Sequence, residues 1–207
     1  MMLKPSSRCG KHYQKTQPIV PPGGNFPISP TSSTPLLAFR CGPGLKPYLA
    51  SDIGHPASIL VDTLITHSQI SGAKALKSNP RPGAKLSITA RVNGKTVAKG
   101  SVGFNATKFE LPLSLNGLAP RIEPYELECT TTLDGATFTA KAPLALLPDP
   151  KGRSATKMNL KTGALLAKPA DGSPGPYAPV FSLGYYTDFG NYLAKNVSKL
   201  DELKAQG

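Results

Sequence analysis

Tryptophan is absent from the 207 residues, and histidine and cysteine occur only three times each. His12, His55 and His67 stand singly, without partners at metal-ligand spacing, which excludes the common zinc arrangements. No G-x-S-x-G elbow occurs, and the "DFG" triplet at 188–190 has no glycine-rich loop, lysine strand or HRD segment to make it a kinase signature. "CGPGLK" at 41–46 has too few glycines for a phosphate cradle. The reading is therefore no metal, no cofactor and no catalytic residue within the chain. No apolar run approaches the roughly 18 residues of a membrane span, so no membrane span is expected. Residues 1–35 also lack the apolar core of an export signal.

Acids are scarce in the front half: residues 1–100 hold 13 Lys and Arg against Asp52 and Asp62, whereas residues 101–207 hold 11 against 10. The net charge of +12 is thus carried by one half of the chain. These cations are dispersed, and neither an RNA-binding aromatic motif nor finger spacing accompanies them. A basic solvated surface is expected, with no nucleic acid as partner.

What is abundant is turn chemistry, with 20 Gly and 22 Pro. Residues 1–34, rich in Pro and Ser, with cations and no acid, read as a disordered arm. From "LLAFRC" onward the texture is that of a β-protein. Leu37, Phe39 and Cys41 share one face of an extended segment, and "SILVDTLIT" at 58–66 suits a buried strand. Leu86, Ile88, Ala90 and Val92 alternate up to Asn93-Gly94, the dipeptide favoured in type I′ hairpin turns. Tyr125, Leu127, Cys129 and Thr131 do the same up to Asp134-Gly135. With "KFELPLSL" between them, residues 35–148 predict an Ig-like antiparallel β-sandwich.

Cys41 and Cys129 are both placed on inward faces, so a disulfide between them is expected. It would close a loop of about 88 residues and contribute roughly 4 kcal/mol in the chain-entropy view. Cys9 is left alone in the arm. Asn105-Ala106-Thr107 and Asn196-Val197-Ser198 are N-glycosylation sequons, Asn105 in a turn and Asn196 close to a helix start. Both features fit an extracellular protein whose export signal lies upstream; a genuine start at Met1 would instead fit the cytoplasm.

Residues 149–176 read as a linker with a short hairpin turning at Thr162-Gly163. Residues 177–207 change class: a compact apolar strand, "APVFSLGYYT", is followed by "NVSKLDELKAQG", in which Val197, Leu200 and Leu203 recur at helical spacing. As the first strand and helix of a (β/α)8 barrel, this unit would present Tyr185, Tyr186 and Asp188 at the strand's C-terminal end, where such barrels bind substrate. Tyrosine rings there could stack on a sugar.

The segments "LLAFRC", "PYELECTTTL", "LPDP", "TKMNLKTGALLAKP" and "FSLGYYTDFGNYLAKNVSKLDELKAQG" resemble the N-terminal part of fungal secreted glycoside hydrolases in which a β-sandwich precedes a (β/α)8 barrel. The resemblance covers about residues 36–207. It implies the front of a longer protein, truncated within its barrel, whose paired catalytic carboxylates lie on later strands. The implied partners are a glycan substrate or cell-wall polysaccharide and the missing C-terminal barrel. The alternative is a non-catalytic extracellular glycan-binding or adhesion sandwich; a basic nucleic-acid or membrane-surface binder comes third.

Overall fold

The computed structural model describes residues 29–151, 155–169, 173–181 and 189–205. In chain order the strands are β1 Thr31–Pro43, β2 Leu45–Lys46, β3 Tyr48–Leu49, β4 Ala57–Ser68, β5 Ala73–Ala75, β6 Lys85–Val92 and β7 Lys95–Gly103. They continue with β8 Phe109–Leu113, β9 Tyr125–Leu133, β10 Ala136–Leu144, β11 Leu146–Leu147, β12 Lys157–Asn159, β13 Leu165–Ala167 and β14 Ala178–Val180. A helix, α1, spans Lys199–Ala205. The protein is mainly β.

Two four-stranded antiparallel sheets carry the core, in the orders β5-β1-β4-β8 and β10-β9-β6-β7. Alternation supplies their inner faces. Leu37 and Phe39 come from β1, Ile59 and Val61 from β4, Leu86, Ile88, Ala90 and Val92 from β6, and Leu127 and Cys129 from β9, all in one apolar cluster. Cys41 and Cys129 are joined by a disulfide, Cα to Cα 6.4 Å, that ties the first sheet to the second. Both hairpins form where expected. Asn93 and Gly94 take φ of 49° and 77°, and Asp134 and Gly135 take 50° and 77°, the two left-handed conformations that a type I′ turn demands.

A third antiparallel sheet, β14-β13-β12-β2, borrows β2 from the continuation of β1. The segment expected as a linker is therefore stitched onto the body, and its hairpin does turn at Thr162-Gly163, with Gly163 at φ 80°. A parallel pair, β11 with β3, adds a further stitch.

Three boundaries depart from the sequence reading. Strand β1 begins at Thr31, inside the segment expected as an arm, because Thr31 lies opposite Ser68 and the Pro30 and Pro35 carbonyls accept from Gln69 and Leu76. The remainder of the arm, 1–28, lies outside the described residues. Helix α1 starts at Lys199, after a tight turn in which Lys199, Leu200 and Asp201 donate three residues back. Of "APVFSLGYYT", Ala178–Val180 pair antiparallel with β13 and are exposed.

Tyr48 fastens β3 to β4. Its hydroxyl donates to the Ser58 carbonyl at 2.8 Å and accepts from the Ser58 amide at 3.1 Å, while its ring is 1% exposed. Burial pushes the phenol above the ordinary tyrosine value. The neutral form is the one the fold favours, so this contribution is complete below the unfolded tyrosine's pKa and is lost as pH rises through the folded one. Tyr48→Phe should cost about 1–3 kcal/mol at neutral pH and flatten the alkaline limb of the stability profile. Denaturant titration across the alkaline range checks this; an unchanged limb would show that Tyr48 is not the group involved.

Candidate functional site

Strand directions place β4's C-terminal end, the start of β6 and the end of β7 together at one end of the two core sheets. At that end lies an open cleft of about 460 Å3. One wall is the turn Arg81-Pro82-Gly83-Ala84, in which the Arg81 carbonyl accepts from Ala84 and Gly83 takes φ 76°. A type II turn requires the positive φ that Gly83 supplies, and proline is favoured at the position before it. Leu76, 5% exposed and held by its amide to the Pro35 carbonyl, anchors the approach to this wall.

The other wall is the segment Gly103-Phe104-Asn105, fixed against β4 by a dense set of bonds. Buried Thr63 donates its hydroxyl to the Gly103 carbonyl at 2.6 Å and accepts from the Ala106 amide at 3.1 Å. The Asn105 amide donates to the Thr63 carbonyl, and Asn105 Oδ1 accepts from the Ile65 amide, both at 2.9 Å. Asn105 takes φ 59°, a left-handed conformation that asparagine tolerates better than most residues.

Asn79, Arg81, Lys85, Phe104 and Asn105 are among the residues that line the cleft, and no carboxylate residue is. Phe104 is half-buried against the core. Neither Arg81 nor Lys85 makes an ion pair among the described residues. The arrangement offers two uncompensated cations, two amides and an aromatic ring in a volume ordinary for ligand clefts. The sequence carries a signal for it: no Asp or Glu occurs from residue 63 to residue 109, so the elements forming this end can supply only positive charge.

At the opposite end, where β10 leads through β11 into the third sheet, a second cluster forms. Lys157 Nζ, on a side chain 2% exposed, meets both Asp52 carboxylate oxygens at 2.6 Å and lies 4.1 Å from the Tyr177 ring centre. Asp52 also accepts from the Leu49 amide at 2.7 Å, and Ser51 donates to Asp149 at 2.6 Å. Partial burial, then Asp52 and Asp149, push the Tyr177 phenol above its ordinary value. The Lys157 ammonium and the Asp52 carboxylate are paired with each other across the chain, so the cluster reads as a latch between the third sheet and the body.

Tyr185, Tyr186 and Asp188 lie outside the described residues. Asn105 is exposed and its Oδ1 is engaged, which leaves Nδ2, the atom that glycosylation would modify, without a bond to protein. Asn196 is exposed likewise, with Oδ1 accepting from the Ser198 amide and hydroxyl. A glycan on Asn105 would stand at the mouth of the cleft. Thr107→Ala removes that sequon without touching Asn105, and Thr107 is exposed. Secreted Thr107→Ala protein should lose one glycan's mass and keep its melting temperature; an unchanged mass would mean that Asn105 is not modified.

Among the described residues no cluster of three or more His, Cys, Asp or Glu could hold a metal ion, and no helix is long and apolar enough to cross a membrane. The chain matches no family model, no curated protein and no solved structure.

Proposed function

We propose that this chain is an extracellular Ig-like β-sandwich that binds glycan and serves as the accessory module of a carbohydrate-active protein. The cleft between the 79–85 and 103–105 segments carries the reading. It combines amides that can pair with hydroxyl groups, an aromatic side chain and cations, on walls fixed by β4.

Other features agree. Two antiparallel sheets share one core and are bridged by a disulfide, and Tyr125 at the start of β9 donates its hydroxyl back to the Ala119 carbonyl at 2.7 Å, much as in the tyrosine corner of Ig-type sandwiches. A disulfide fits an oxidising compartment. The cleft's lining shares no residue with the third sheet, so a partner domain joined through that sheet can leave it open. Phe181, Val197 and Leu200 are 87%, 71% and 52% exposed, apolar surface that a following hydrolase barrel would cover.

Electrophoresis of the secreted chain through gels containing single polysaccharides tests the function. Retardation by at least one, abolished by adding its free oligosaccharide, is the expected result. Unaltered mobility across neutral and acidic polysaccharides alike would overturn it.

A further inference from the structure

Resting on that glycan-binding reading, we infer that the cleft selects an anionic saccharide, with Arg81 and Lys85 on its carboxylate or sulfate group and Asn79, Phe104 and Asn105 on its ring. A neutral sugar can use the two cations only as hydrogen-bond donors to its hydroxyl groups, whereas an anionic sugar also gains from their charge, which no carboxylate in the lining offsets. Arg81 brings a planar fork that matches a carboxylate or sulfate edge with two parallel bonds, and Lys85 adds a mobile point charge. Selectivity thus follows from charge, while the amides and ring fix orientation.

The same residues argue against nucleic acid as the occupant. A backbone-tracking groove needs cations in a row and aromatic faces standing free for bases. Here Phe104 is the single aromatic residue in the lining, and Lys108 is engaged elsewhere, donating to the Lys161 carbonyl at 2.8 Å. Only Arg81 and Lys85 are gathered at the cleft.

Calorimetry on the full secreted chain, with Asn105 kept bare by Thr107→Ala, decides between the outcomes. The probes are an oligogalacturonate, its methyl ester, a sulfated galactan fragment and a single-stranded oligonucleotide. The acid should bind at least tenfold more tightly than its ester, and Arg81→Gln with Lys85→Gln should remove that difference while leaving the melting temperature unchanged. Binding of the sulfated fragment with the same sensitivity supports the inference and identifies sulfate as the anion. Protein bearing the Asn105 glycan should bind more weakly, because the modification occupies the mouth. Equal binding of acid and ester overturns the inference but leaves glycan binding standing. Failure of every saccharide, charged or neutral, overturns both. Tighter binding of the oligonucleotide than of any saccharide, with a steep salt dependence, overturns the inference in favour of a phosphate backbone.

Discussion

Replacing Cys41 and Cys129 together by alanine should lower the stability of the chain by about 4–5 kcal/mol and its melting temperature by on the order of 10 °C. The bond closes a loop of 88 residues, so it removes a large set of conformations from the unfolded chain, and in the folded chain it spans the two core sheets at a position where Cys129 is wholly buried. The unfolded-state origin can be checked separately. An unbridged chain unfolds to a more expanded ensemble that exposes more surface, so the slope of stability against denaturant should rise in the double variant. Denaturant titrations of the oxidised protein and the double variant give both quantities. A stability loss of less than about 1 kcal/mol would show that the sheets are held by the apolar cluster alone.

The contrast between what was legible in the sequence and what was not follows sequence distance. Hairpins at Asn93-Gly94 and Asp134-Gly135 are encoded in adjacent residues, because a two-residue turn needs only its own φ angles and the alternation on either side. The disulfide was legible for a related reason: strand parity alone assigns Cys41 and Cys129 to inner faces, and the chain offers few other thiols.

The cleft was not legible, since its walls are 79–85 and 103–105, brought together only when Thr63 bonds Gly103 and Ala106. The acid-free stretch from 63 to 109 marks the region but not the shape. Strand β2 was missed because a two-residue strand has no period to read, and it becomes one only when Met158 and Asn159 pair with Lys46 and Leu45. Lys157 looks like an ordinary solvated lysine in "ATKMNL", and it is buried only because Asp52, 105 residues earlier, meets it.

That buried pair sets up the other large expected effect, which should be asymmetric. In Asp52→Ala the Lys157 ammonium is left 2% exposed with no carboxylate, and removing one member of a buried pair costs about 3–5 kcal/mol because the remaining charge is stranded. The Leu49 amide also loses its acceptor. In Lys157→Met the remaining charge is Asp52, whose side chain is 21% exposed and still accepts from Leu49, so water can solvate it and the thioether can lie against the Tyr177 ring. A loss of about 1–2 kcal/mol is expected there. Because Lys157 stands on β12 and Asp52 in the turn after β3, the effect should be local to the third sheet. Hydrogen exchange should quicken at β12 and β13 in Asp52→Ala, with β6, β7, β9 and β10 unchanged, and less so in Lys157→Met. Trypsin should cut first between residues 150 and 170 in the same order. Equal, small responses of the two variants would mean that the pair is solvated in solution, and that the pairing of β12 with β2, with the bonds of Leu160 to Gly44 and of Lys161 to Lys108 and Glu110, holds the third sheet to the body.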